Sequence, residues 1–81
     1  MIFNGIHMNK AFLNNRVIIG PMCQYSADKG MPSKWHYKHL SSLTKLGASL
    51  LMIESTAVSK SGRITKKDLE LNNEAHSKAF F

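Results

Sequence analysis

The stretch Val17-Ile18-Ile19-Gly20-Pro21-Met22-Cys23-Gln24-Tyr25 decides how the rest of the chain is read. A short β-branched run stops at a Gly-Pro pair and is followed by a sulfur and a phenol. Apolar residues at consecutive positions read as a strand covered on both faces. Proline, which has no ladder donor, ends it. Residues just past the C-terminal ends of parallel strands are where α/β enzymes keep their sites. Cys23 and Tyr25 share a face if the backbone between them stays extended.

Downstream, Gln24 to Ser33 reads as a loop, and Ser33 as the N-cap of a helix from Lys34 to about Leu46 that Gly47 stops. Trp35, His39, Leu43 and Leu46, widened by Leu40, make its buried stripe, with Lys34, Lys38, Ser41 and Lys45 on the other side. Ala48 to Glu54 holds a second apolar run, Ser49-Leu50-Leu51-Met52-Ile53. Strand, loop, helix, turn and strand form a right-handed crossover between parallel strands. Two such strands and one helix cannot cover a parallel sheet on both faces, so the chain reads as the start of something larger. Upstream, Met1 to Asn15 is turn-rich, with Asn4-Gly5 as a hairpin signal. Past Glu54, the segment Ser55 to Leu69 reads as a polar loop, and Asn73 as the cap of a helix beginning at Glu74.

The 81 residues hold eleven Lys and Arg against five Asp and Glu, a net charge of +6. The basic residues are scattered, only Lys66 and Lys67 being adjacent, and nine of the eleven are Lys. Such a pattern describes a solvated surface better than a nucleic-acid footprint, and no nucleic-acid partner is expected. The single Cys allows no internal disulfide. Neither a secretory signal nor a run near the roughly 20 apolar residues of a membrane span is evident. A free thiol without an export signal favours a reducing cytoplasm. There is no GxGxxG and no P-loop. Taken alone, Cys23 reads first as a small buried hydrophobe and Tyr25 as an ordinary loop residue. His36 and His39, three apart on the helix, read as a structural pair rather than the start of a metal site, because no third ligand follows at the right spacing. Glu54 can cap a turn or pair with Arg63.

Together these segments resemble the amino-terminal part of the old yellow enzyme family, the NAD(P)H:flavin oxidoreductases, in the bacterial branch that has Cys where others have Thr. The resemblance rests on Leu13-Asn14-Asn15-Arg16-Val17 leading into Gly20-Pro21-Met22-Cys23-Gln24-Tyr25-Ser26, then Gly30 and Trp35-His36 with His39. It continues through Glu54-Ser55-Thr56-Ala57-Val58, Ser61-Gly62-Arg63-Ile64, Asp68-Leu69 and His76. It implies a (β/α)8 TIM barrel with non-covalent FMN at the C-terminal ends of the strands, and hydride transfer from NADH or NADPH to activated alkenes such as enones. It further implies that Gly20, Pro21, Met22 and Cys23 line FMN after the first strand, that Ser55 does so after the second, and that Tyr25 faces the substrate. The sulfur would tune the flavin's potential.

The sequence departs from that pattern in places. Ser55 stands where Ala is usual, Leu43-Thr44-Lys45-Leu46-Gly47-Ala48-Ser49 lacks the usual Arg, and Glu70-Leu71-Asn72 replaces Gly-Ile-Trp. A full barrel needs about 250 residues, so the expectation is one incomplete domain. Residues 1–15 form its opening hairpin or turn region, 16–54 the strand-helix-strand unit, and 55–81 a loop and the start of the next helix. The isolated fragment is expected to be inactive, the complete enzyme can form homo-oligomers, and the proton donor lies outside these residues. The alternative is a small basic, non-catalytic binding protein derived from the same fold.

Overall fold

A computed structural model describes residues 1–81. Strands β1 (Ile6–Met8) and β2 (Ala11–Leu13) pair antiparallel, β3 (Ile18–Ile19) pairs parallel with β4 (Leu50–Leu51), and β5 (Thr56–Ala57) pairs parallel with β6 (Leu69–Glu70). Helix α1 (Lys34–Thr44) connects β3 to β4, and α2 (Glu74–Phe80) follows β6. No helix is long and apolar enough to cross a membrane.

The parallel crossover is present, and side chains fix its register. Asn15 bridges the starts of both strands: its Nδ2 donates to Gly47 O at 2.8 Å, its N–H to Ser49 Oγ at 2.7 Å, and its Oδ1 accepts from Val17 N–H at 3.0 Å. Ile18 then faces Leu50 and Ile19 faces Leu51. Helix α1 starts after Ser33, as its capping pattern requires. The residue that reaches back is His36, whose Nδ1 accepts from Ser33 N–H at 2.9 Å in the place where a capping box ordinarily has Glu or Gln. Gly47, at φ +92°, carries the chain away in the left-handed region.

Three expectations need correction. The hairpin turns at Asn9-Lys10, with Asn9 at φ +53°, not at Asn4-Gly5; Asn tolerates that region through its short polar side chain. The polar stretch after Glu54 is tied down by β5–β6 and a 3₁₀ turn at Lys60–Gly62 rather than being a plain loop. The expected stripe of α1 is covered only in part: His39, Leu40 and Leu43 are half-buried, but Trp35 is 44% and Leu46 72% exposed, and the one buried residue of the helix is His36. Ile18, Met52 and Ile53 are each about half exposed, as expected when two strands and one helix leave a parallel sheet without cover on both faces.

The burial pattern has one cause. Three separate two-stranded sheets bury little between them, and the radius of gyration, 14.6 Å, exceeds the roughly 12 Å of a compact chain this long. Of the nine buried residues, five are His36, Glu54, Asp68, Glu70 and His76, so polar contacts inside the structure, more than an apolar core, locate its elements.

Candidate functional site

The site is built at the shared C-terminal edge of β3 and β4. Because the two strands run parallel and in register, and Met52 N–H donates to Ile19 O at 3.0 Å, the segments Gly20–Cys23 and Met52–Ser55 leave the sheet at the same edge. Gly20 and Pro21 are exposed, Met22 is 52% exposed, and Cys23 is a half-buried free thiol. A Cβ on Gly20 would meet nothing of the chain within 4 Å, so internal crowding does not demand a glycine there. The amides of Met22 and Cys23 make no hydrogen bond within the chain. Ser55, on the second strand's exit, is exposed.

Gln24, which sequence reasoning did not single out, holds this segment in place. Its Nε2 donates to Met22 O at 2.9 Å and its Oε1 accepts from Trp35 Nε1–H at 3.0 Å, which joins the strand-end loop to the first turn of α1. No sequence signal required this bond, since an exposed indole N–H can donate to water equally well. Trp35 also stacks on His39, with ring centroids 5.6 Å apart. His36 and His39 therefore do different work.

Tyr25 departs from the extended path assumed for it. Its φ is +52°, a left-handed value that is uncommon for a bulky residue and costs about 1–2 kcal/mol. The backbone turns there, so the argument that Cys23 and Tyr25 share a strand face does not hold. Lys29 is also left-handed, at φ +51°, and the loop between them is fastened to the segment 67–76. Ala27 N–H donates to Lys67 O at 3.0 Å and Glu70 N–H to Gly30 O at 2.8 Å.

A cavity of 330 Å³ lies between α1, β4 and the end of α2, and Gly20 and Met22 of the strand-end segment line it together with Leu40, Leu43, Leu51, Phe80, His36 and Glu54. Ser33 Oγ is 3.1 Å from His36 Nδ1, and His36 Nε2 is 3.3 Å from Glu54 Oε2. The order Ser-His-Glu invites comparison with a nucleophilic triad. It does not act as one, because the one lone pair of Nδ1 is taken by Ser33 N–H and cannot draw a proton from the hydroxyl. The same bond leaves the imidazole proton on Nε2, facing the Glu54 carboxyl. Neither His36 Nε2 nor Glu54 Oε1 has a hydrogen-bond partner, so the contact is an approach of the two groups rather than a made bond. Glu54 thus pairs with His36 and not, as one expectation had it, with Arg63, whose partner is Glu70 at 3.4 Å.

Asp68 organises the turn behind β6. Its Oδ2 accepts from the amides of Ile64 and Thr65 at 2.9 and 3.0 Å, and its Oδ1 from the Thr65 hydroxyl at 2.9 Å. The Thr65 amide first, then the Thr65 hydroxyl, the Ile64 amide and the charge of Arg63, hold its carboxyl below the ordinary 3.8, against an opposing effect of burial. With the folded value below the unfolded one, the turn's contribution is complete above the unfolded value and is lost as pH falls through the lowered one. In an acid titration followed by NMR, the Ile64 and Thr65 amide shifts should move together below pH 3.8 and stay put in Asp68→Asn. A transition at or above that value would contradict this account.

The sequence model of the family described as the NADH:flavin oxidoreductase / NADH oxidase family matches residues 1–81. The chain is 40% identical over 70 residues to NADH:flavin oxidoreductase FG08077 of Gibberella zeae, covering 86% of this chain and 17% of that protein. It is 34% identical over 77 residues to an NADPH dehydrogenase of Bacillus cytotoxicus, covering 93% and 22%. It is 35% identical over 75 residues to an NADPH dehydrogenase of Listeria monocytogenes, covering 90% and 22%. The chain spans about a fifth of the length of these curated relatives. With the whole of its length matched and its parallel strands ending side by side at the expected motif, the chain belongs to the NADH:flavin oxidoreductase / NADH oxidase family, whose cofactors are FMN and NAD(P)H.

Proposed function

We propose that these residues form the first wall of the flavin site in a (β/α)8 barrel oxidoreductase that reduces activated alkenes such as enones at the expense of NADH or NADPH. The observation that carries the reading is the common exit of β3 and β4, where two amides without internal partners lie beside exposed Met22 and half-buried Cys23. Free donors next to an apolar, polarisable surface suit a flat heteroaromatic ring with a polar edge, so the residues fit FMN. Gly20, Pro21, Met22 and Cys23 would hold it after β3, and Ser55 after β4. When bound, FMN supplies the two-electron carrier between nicotinamide and alkene. The chain's part is to present its Met22 and Cys23 amides to the ring edge, keep water off the face that Met22 covers, and set Cys23 sulfur near the ring. Tyr25 would offer its phenol as a hydrogen-bond donor to a substrate carbonyl.

One strand-end wall leaves most of a flavin in water, so the 81 residues by themselves are expected to bind no stoichiometric FMN. Joining them to the part of the B. cytotoxicus NADPH dehydrogenase beyond its matched segment should give a yellow protein whose visible flavin band is bleached by NADPH. A folded but colourless chimera would refute the flavin reading. Stoichiometric flavin on the 81-residue chain would refute the claim that this wall is insufficient.

A further inference from the structure

We infer that Glu70 and His76 are positioning residues for the loop that carries Tyr25, an inference that rests on the substrate-side reading of Tyr25. The loop meets the segment 67–76 through the two backbone bonds already described and through a buried side-chain latch. His76 Nε2 donates to Lys29 O at 3.0 Å. The donor role follows from the other ring nitrogen, because Nδ1 accepts from Asn72 N–H at 3.3 Å and so carries no proton. Asn73, the N-cap of α2, accepts from His76 N–H at 2.8 Å, so the imidazole is held by the first turn of that helix.

Glu70 packs beside the latch. Its Oε1 lies 3.4 Å from Arg63 Nε, while its Oε2, 4.0 Å from the proton-free His76 Nδ1, makes no bond there; its backbone N–H donates to Gly30 O, and the Glu and His side chains are both more than nine-tenths buried. Gly30 sits directly against it, since a Cβ there would come within 2.6 Å of Glu70 Cβ and 3.0 Å of His76 Nε2. Between the latch at Lys29-Gly30 and the Gln24 brace, Tyr25 has few ways to leave its left-handed conformation. Glu70 and His76 thereby set where the phenol stands without touching a ligand.

Amide hydrogen exchange on the 81-residue chain tests the latch without flavin. In His76→Ala the amides of Ala27 and Glu70, which bond to Lys67 and Gly30, should exchange about five- to tenfold faster, and the Tyr25 Cα shift should move toward its random-coil value. The Met52 amide, bonded to Ile19 in the other parallel pair, should keep its rate. His76→Gln, whose side-chain amide can still donate to Lys29 O, should restore most of the protection, and Glu70→Gly should loosen the same amides. Unchanged Ala27 and Tyr25 signals in a folded His76→Ala would overturn the inference, as would equal acceleration at Met52. The chimera separates the two readings: Glu70→Gly should raise KM for an enone about fivefold with kcat little changed. Loosened exchange with an unaltered KM would leave the latch standing and remove Tyr25 from the substrate site.

Discussion

His36→Leu is expected to cost roughly 3–5 kcal/mol, enough to unfold a chain of this size at room temperature. The substitution keeps an apolar side chain of similar reach against the cavity but strips Glu54 of its only partner, and Glu54 is 8% exposed. Removing one member of a buried pair leaves the other desolvated with nothing to face, which is costlier than never having had the pair. The same change deletes the acceptor for Ser33 N–H at the start of α1, a further loss of about 1 kcal/mol. Replacing both residues together, His36→Leu with Glu54→Met, should recover most of the pair's share and none of the cap's. Urea denaturation monitored by circular dichroism distinguishes them. A single variant that melts like the parent would mean that Glu54 is solvated despite its position.

Gly30→Ala should lose about 2–4 kcal/mol through two separable terms. At φ +83° a side chain is strained whatever the space, and here there is none, because Glu70 Cβ and His76 Nε2 occupy it. Gly47 provides the internal control. It has φ +92° with nothing within 4 Å of a Cβ, so Gly47→Ala reports the conformational term alone, about 1 kcal/mol. Adding Glu70→Gly to Gly30→Ala removes the closest clash but leaves His76 Nε2 at 3.0 Å, and should return part of the packing term, a coupling within the roughly 0.5–3 kcal/mol range of contacting residues. Equal losses at Gly30 and Gly47, with no coupling to Glu70, would show that the loop and β6 are not packed as described.

Helix α1 and the parallel pair around it were legible in the sequence because their signals are local. Ser33 and Gly47 mark the helix ends within a few residues, and two β-rich apolar runs at crossover distance imply parallel pairing. Pair β5–β6 was not legible: strands of two residues, Thr56–Ala57 and Leu69–Glu70, carry no periodicity, and they form because Asp68 and Arg63 fold the intervening chain back. The stripe on α1 misled for a related reason. Periodicity marks which residues can be covered, whereas burial depends on what is there to cover them, and within these residues it is His36 that finds a partner. At the site, Gly20 to Cys23 and Ser55 stood out through their place after apolar runs and through the family motif. Glu70 registered only as a departure from that motif. Its consequence for the Tyr25 loop needs Gly30, distant in sequence, to be seen beside it.

The two parallel pairs also differ in how far along the chain they reach. The partners in β3–β4 are separated by more than twice as many residues as those in β5–β6, and each doubling of a closed loop costs about 0.6 kcal/mol in chain entropy. The shorter closure is in addition lined with contacts that need no distant partner: the Ser59 cap of the 3₁₀ turn, the Arg63 bond to Lys66 O and the Asp68 turn. On those grounds β5–β6 is expected to close before β3–β4, although a ribosome makes it after β3 and β4. The strand ends that carry Cys23 and Ser55 would then be brought together late, against a downstream half that has already taken shape.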